Sequence, residues 1–127
     1  EAGFVNKQEY QFGSGGSTIT EYTIQDGNVT GYVDRDQSGV LKSTATLTYG
    51  AGAKNTFNYA TSGYFPGPMF GKYCKNLQEN LVVKNSSGAI FFESRRTWEL
   101  DAAGYIKKDH TDYPVSGKWN ETVYTFE

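Results

Sequence analysis

Polar and apolar residues alternate along most of this chain, and short clusters of Gly, Asn, Asp and Ser interrupt the alternation. A period of two residues is typical of a half-buried β-strand, and the interrupting residues are those that favour turns. No stretch combines a sustained helical period with capping residues. The pattern predicts these strands: Phe4–Phe12, Thr18–Gln25, Asn28–Asp34, Val40–Tyr49, Asn55–Ala60, Glu79–Asn85, Ala89–Leu100, Tyr105–Asp109 and Trp119–Phe126.

Short strands at regular spacing predict an all-β fold, an antiparallel meander of about eight to ten strands forming a small barrel or a strongly curved sheet. A content of 10 Tyr, 8 Phe and 15 Gly agrees with pleated surfaces joined by turns. The length of 127 residues predicts one domain, residues 1–127. The predicted core consists of Ile24, Val29, Leu47, Phe92, Trp98, Leu100 and Ile106.

The first hairpin register follows from a two-residue type I′ turn at Asp26 and Gly27, in the stretch "IQDGNV". Extended along both strands, this register points Tyr32 and Asp34 away from the core face. The predicted pairs are Gln25 with Asn28, Ile24 with Val29, Tyr22 with Gly31, and Thr20 with Val33.

Two further hairpins are predicted by "NSSGAI" and "LDAAGYI", in which Gly is the fourth residue of a type I turn followed by a bulge. The predicted pairs are Val82 with Phe92, Val83 with Phe91, Leu100 with Ile106, Glu99 with Lys107, and Trp98 with Lys108.

One connection is much longer than a meander turn, the stretch "SGYFPGPMFGKYCKNLQ" at residues 62–78. Its prolines oppose regular strand pairing, while Phe65, Met69 and Phe70 are too apolar to lie in solvent. We therefore predict a folded cap over one end of the β-structure. The alternative is a ligand-contacting loop, with Tyr64 and Tyr73 at its rim.

The charge balance limits the partners. A net charge of -2 with scattered charges provides no basic stripe, so we expect no nucleic acid partner. No apolar run approaches the roughly 20 residues of a membrane-spanning helix. A single Cys excludes an internal disulfide, and we expect a monomer.

A calcium site is one hypothesis for the stretch "DRDQSG", which places Asp34, Asp36 and Ser38 at alternate positions before a sixth-position Gly. The twelfth position, where such a loop needs a bidentate Glu, is Ala45. The alternative is a polar hairpin loop, and we expect no other cofactor.

Catalytic signals are weak. Cys74 and His110 are the only Cys and His, and Cys74 lies in an apolar stretch while His110 follows a lysine-rich strand as an expected loop residue. Carboxylate pairs for glycoside hydrolysis, such as Glu93 with Glu99 or Asp109 with Asp112, are not selected by any spacing. No catalytic residue is predicted.

Aromatic residues on the outward face could stack a sugar or a partner surface. Trp119 shares its strand face with Val123, opposite Tyr124. The alternative is that this face forms a second core. The predicted ligand-binding residues are Tyr32, Tyr64, Tyr73, Tyr105 and Trp119.

The stretches "MFGKYCKNLQENLVV", "RRTWELDAAGYIKK" and "VYTFE" resemble a family of secreted, lipid-anchored Bacteroidetes proteins of unknown function with a porin-like β fold. The matching segments are Gly71–Leu77, Trp98–Tyr105 and Val123–Phe126. The resemblance implies a protein that is exported either to the periplasm or to the cell surface, where it is anchored to the outer membrane. It also implies a non-enzymatic role. It transfers no functional residues.

These observations predict an exported, non-catalytic binding or cell-envelope accessory module whose partner is a glycan or another envelope protein. The alternatives are a carboxylate-dependent glycan hydrolase and a weak calcium-binding surface domain.

Overall fold

The computed structural model describes residues 3–13, 15–54 and 74–125, and these residues form one antiparallel sheet of eight strands. Each strand pairs with the strand before it and the strand after it in the chain. The predicted all-β meander is confirmed. The strands are β1 (Lys7–Gln11), β2 (Ser17–Gln25), β3 (Asn28–Asp36), β4 (Leu41–Lys54), β5 (Asn76–Asn85), β6 (Ile90–Leu100), β7 (Ile106–Tyr113) and β8 (Lys118–Val123).

The sheet is open in the part of the chain that the structure describes, because β1 pairs only with β2 and β8 only with β7. This favours the strongly curved sheet over the barrel. Within the same residues, no helix has the length and apolar character needed to cross a membrane. The predicted strand Asn55–Ala60 and the cap rings Phe65, Met69 and Phe70 lie outside the described residues.

The core lies on one face of the central strands, which we call the inner face. Its cluster combines Leu47 from β4 with Leu81 from β5, which are 2% and 1% exposed. Tyr22, Tyr49 and Phe92 pack against this cluster from the same face. The other members of the cluster are Tyr32, Ala45 and Val83.

Three hairpins share one turn, in which an Asp or Asn side chain binds backbone N–H groups and a Gly follows in the left-handed region. The turns begin at Asp36, Asn85 and Asp101, and in each the first residue also exchanges backbone hydrogen bonds across the turn. Asp36 Oδ1 accepts from Ser38 N at 3.0 Å and from Val40 N at 3.0 Å.

Each of these turns is followed by a β-bulge. The residue left without an opposite partner is the sixth after the Asp or Asn, namely Lys42, Phe91 and Lys107. A bulge opposes two residues to one and increases the local twist, which is consistent with strong curvature of the sheet.

The first predicted register is confirmed at the turn and wrong beyond it. Asp26 and Gly27 have φ of 52° and 79°, and Ile24 pairs with Val29 as predicted. A bulge then leaves Thr30 unmatched, so Tyr22 pairs with Tyr32 instead of Gly31, and Thr20 with Asp34 instead of Val33.

Gly31, the residue after the unmatched Thr30, lies where two strands approach each other closely. A Cβ at this position would lie 2.9 Å from the backbone oxygen of Ala45, so β3 and β4 approach too closely for any larger residue. The shift of one residue turns Tyr32 and Asp34 onto the inner face, which corrects the predicted outward position of both.

In the other two hairpins, the predicted pairs from the bulge onward are also wrong by one residue, because each bulge shifts the register. Val83 pairs with Phe92 and Val82 with Glu93, because Phe91 is bulged. Glu99 pairs with Lys108 and Trp98 with Asp109, because Lys107 is bulged, although Leu100 and Ile106 pair as predicted.

The predicted core is confirmed in part. Val29, Leu47 and Ile106 are buried, and the side chains of Ile24, Phe92 and Trp98 are half-buried. Leu100 is 36% exposed, which corrects its assignment to the core. It is the last residue of β6, beside the turn at Asp101.

Candidate ligand-binding face

Two clefts open on the inner face, on either side of Tyr32 and Asp34. The first cleft has a volume of about 460 Å³ and lies over β1, β2 and β3. Its lining alternates with outward residues along each strand, as the pleat requires. The lining residues are Gln8, Tyr10, Phe12, Thr18, Thr20, Tyr22, Tyr32 and Asp34.

The rings of the first cleft are arranged in pairs. Tyr10 and Phe12 meet edge to face with centroids 4.9 Å apart, and Tyr22 and Tyr32 do so at 6.2 Å. Tyr10 and Phe12 are 59% and 49% exposed, whereas Tyr32 is 8% exposed. The cleft therefore has an open aromatic wall at β1 and a buried aromatic floor at β3.

The second cleft has a volume of about 310 Å³ and lies over β3 to β6. Phe91 and Phe92 both line it, although they are consecutive, because Phe91 is the bulged residue after the Asn85 turn. Phe91 is 53% exposed. The other lining residues are Tyr32, Asp34, Ser43, Leu81 and Val83.

Asp34 belongs to both clefts, and hydroxyl groups hold its carboxylate in place. Thr20 Oγ1 donates to Oδ1 at 2.6 Å, and Ser43 Oγ donates to Oδ2 at 2.7 Å. These donors come from the strands on either side, since Thr20 and Ser43 are the residues opposite Asp34 in the register. An ionised carboxylate has about four acceptor positions, so each oxygen keeps capacity for another donor.

Burial raises the pKa of the Tyr22 hydroxyl, and the nearby charge of Asp34 raises it further. The Tyr22 hydroxyl donates to Gln8 Oε1 at 3.1 Å. The hydroxyl therefore stays protonated near neutral pH and remains a donor and an acceptor at the centre of the first cleft.

The predicted ligand-binding residues do not form one site. Tyr32 lies between the two clefts, while Tyr105 is 46% exposed beside the Asp101 turn and Trp119 is 65% exposed on the opposite face of β8. Tyr64 and Tyr73 lie outside the described residues.

The three residues of the calcium hypothesis are engaged within the protein. Asp34 accepts the hydroxyls of Thr20 and Ser43, while Asp36 Oδ1 accepts the Ser38 hydroxyl at 2.6 Å. The hydrogen bonds from Ser38 and the Lys42 ammonium lower the pKa of the Asp36 carboxyl. Among the described residues, no group of three or more His, Cys, Asp or Glu side chains could hold a metal ion. Calcium binding stays a prediction.

A polar cluster lies on the outer face, where His110 stacks on Trp119 with centroids 5.5 Å apart. His110 lies within β7, which corrects its predicted position in a loop. Its ring nitrogens lie 3.3 Å from Asp112 and 3.5 Å from Glu121. The ion pair of Lys108 with Glu121 at 2.8 Å raises the pKa of Lys108 and lowers that of Glu121.

The candidate nucleophile and base lie apart from each other. Cys74 is buried, as predicted, and its Sγ lies 3.2 Å from the Tyr49 hydroxyl and 3.4 Å from Val29 N, which donates to it. Burial, followed by the proximity of Cys74, raises the pKa of the Tyr49 hydroxyl well above its usual range. His110 contacts β8 instead.

The candidate carboxylate pairs are also separated. Glu93 and Glu99 are six residues apart on one strand, which is about 20 Å, while glycoside hydrolysis needs at most about 9.5 Å. Asp109 and Asp112 lie on opposite faces of β7. Asp109 is 2% exposed and accepts the Tyr124 hydroxyl at 2.7 Å, so Tyr124 and Trp119 do lie on opposite faces, as predicted.

Sequence reasoning missed the rings that line the clefts beside Tyr32, namely Tyr10, Phe12, Tyr22, Phe91 and Phe92. A signal was present for Phe91. It occupies the position, six residues after the turn Asn, at which the two equivalent hairpins carry Lys42 and Lys107.

A porin-like protein from Bacteroides uniformis, known from a crystal structure, is similar to this chain with a TM-score of 0.49 and 14% sequence identity. The similarity covers 96% of this chain, and this chain spans 66% of the length of that protein. No protein-family model and no curated protein matches the chain. The resemblance to the Bacteroidetes family, secretion and a lipid anchor remain predictions.

Proposed function

We propose that this domain is a non-catalytic module that binds a carbohydrate on the inner face of its sheet. The observation that carries the proposal is the pair of clefts that share Tyr32 and Asp34, with aromatic walls around a fixed carboxylate.

Sugars combine flat C–H faces with many hydroxyl donors, and the clefts offer a complement to both. Tyr10, Phe12 and Phe91 are exposed, and their rings provide surfaces on which a sugar can stack. Groups of exposed aromatic rings often mark a binding site. Asp34 and the Gln8 amide provide hydrogen-bonding groups between those surfaces. Polar groups set between aromatic surfaces are typical of a site that orients a ligand.

Binding is favoured over hydrolysis by the acids of the clefts. The glycosidase mechanism uses two carboxylates that flank the scissile bond. Among the described lining residues, Asp34 is the carboxylate of both clefts, and its neighbours are hydroxyls and rings. A single carboxylate can accept hydrogen bonds from sugar hydroxyls. Hydrolysis would need a second carboxylate on the other side of the scissile bond.

The location that we propose is the cell envelope, on the strength of the sequence resemblance alone. Immunodetection of this domain in fractionated cells of its source tests this second part. Recovery of the protein in the cytoplasmic fraction would contradict it, without bearing on the sugar site.

The binding proposal is tested with a glycan array, followed by calorimetric titration of each glycan that binds. Phe91→Lys introduces the residue that the equivalent hairpins carry at this bulge, so the fold should tolerate it. We expect about a tenfold or greater loss of affinity, because one stacking wall is removed. Val115→Lys, at a 54% exposed position in the β7–β8 turn, is the matched control and should bind as the unchanged protein does.

Two results would overturn the proposal. One is an array on which no glycan binds. The other is a Phe91→Lys variant that binds each glycan with the same affinity as the unchanged protein. If the protein instead releases reducing ends from a bound glycan and loses this activity when one acid is replaced, that result would favour the hydrolase over the binding module.

A further inference from the structure

We infer that the sugar recognised by these clefts carries a protonated amine, as a de-N-acetylated hexosamine does, and that this amine is seated against Asp34. The inference rests on the proposed function and adds the chemical class of the ligand.

The first support is the charge of the clefts. Their described lining contains one charged side chain, that of Asp34, and the remainder are hydroxyl, amide, aromatic and aliphatic groups. Asp34 has no ion-pair partner among the described residues. Asp36, two residues further along β3, is by contrast paired with Lys42 at 2.9 Å.

The second support is the geometry of the carboxylate. The Thr20 and Ser43 hydroxyls donate to different oxygens, which fixes the carboxylate plane across the boundary of the two clefts. These neutral hydroxyl donors satisfy part of its acceptor capacity, and no cation among the described residues compensates its charge. A ligand ammonium would supply both the missing charge and charge-assisted hydrogen bonds.

The third support is the set of aromatic side chains that line the same clefts as Asp34. Tyr22 and Tyr32 flank Asp34 from the first cleft, and Phe91 and Phe92 line the second. Aromatic faces attract cations, and a carboxylate among several rings is an arrangement suited to an ammonium group. The charge of Asp34 also contributes to raising the pKa of the Tyr22 hydroxyl.

The experiment compares two oligosaccharides of the same length and linkage, the glucosamine tetramer of chitosan and the N-acetylglucosamine tetramer of chitin, by calorimetric titration with the 127-residue chain. We expect the amine-bearing tetramer to bind about tenfold more tightly. The ratio should fall as salt is added, because screening weakens the charge interaction.

Asp34→Asn should reduce this ratio to about one, because it removes the charge and keeps the size of the side chain. Asp112→Asn is the matched control. It changes the net charge by the same amount on the outer face, where Asp112 is 58% exposed, and should leave the ratio unchanged.

The outcomes separate the two proposals. Equal affinity of the unchanged protein for both tetramers overturns the amine inference and leaves carbohydrate binding in place. A ratio insensitive to salt, or one that Asp112→Asn reduces as much as Asp34→Asn does, also overturns the inference. If neither tetramer binds and no glycan on the array binds, the proposed function itself is overturned.

Discussion

At the scale of single residues, Asp34 and Asp36 show how position decides the role of a carboxylate. They are two residues apart on one strand, yet Asp36 closes a turn through Ser38 and Val40 while Asp34 faces the clefts. Spacing alone suggested that both would act together on one cation. The difference comes from the turn, since Asp36 is the last residue of β3 and its side chain folds back over the following residues.

Gly31 provides a prediction at this scale. Gly31→Ala should lower the free energy of unfolding by about 1–3 kcal/mol, because the new methyl group would meet the Ala45 carbonyl oxygen, 2.9 Å away. Denaturant unfolding measures the loss. Gly13→Ala is the control, since a Cβ there has no neighbour within 4 Å, and it should change the stability by less than about 0.5 kcal/mol. Equal stability of the two variants would contradict a close approach of β3 and β4 at Gly31.

At the scale of elements, the strands and turns could be predicted from the sequence, but the registers could not. Alternation fixes the side on which a residue lies only while the pleat is unbroken, and each bulge reverses it. The sequence offered no correction, because the inner face itself carries Thr20, Asp34 and Ser43, which alternation alone interprets as solvent-facing. The clefts depend on these reversals, so most of the candidate site was beyond the reach of sequence reasoning.

The Asn85 turn provides a prediction at this scale. Asn85 Oδ1 accepts hydrogen bonds from Ser87 N, the Ser87 hydroxyl and Ala89 N, at 3.0, 2.6 and 3.0 Å. Asn85→Ala should therefore lower the free energy of unfolding by about 1 kcal/mol, the net value of a hydrogen bond in water. Asn85→Asp should retain nearly full stability, because the equivalent hairpins use Asp at this position.

Chemical denaturation of both variants provides the measurement, with Ser86→Ala as the control at an exposed turn position. An Asn85→Ala variant as stable as Ser86→Ala would mean that the side chain does not hold the turn.

At the scale of the whole molecule, stability should fall from the centre of the sheet to its edges. β5 has a paired strand on both sides and contains Leu77 and Leu81, which are 0% and 1% exposed. All six residues of β8 are exposed, and β8 pairs only with β7 in the described sheet.

Hydrogen exchange followed by mass spectrometry should therefore find the amides of β5 at least about tenfold better protected than those of β8, because local opening of an exposed edge strand needs little free energy. The amides of β7 that bond to β6 serve as the internal reference. Protection of β8 equal to that of β5 would mean that another strand, from this chain or from a second copy, covers this edge in solution, and it would contradict an open edge at β8.

The order of strand pairing also determines how the sheet responds to force. In the described sheet, β1 lies at one edge and β8 at the other, and every pairing joins strands that are neighbours in the chain. Tension applied between the two edge strands therefore acts along the interstrand hydrogen bonds instead of across them. The hydrogen bonds then open one after another, and the load is not shared among them. We therefore expect this sheet to open under a weaker pull in this direction than under tension along its strands, and to extend one strand at a time.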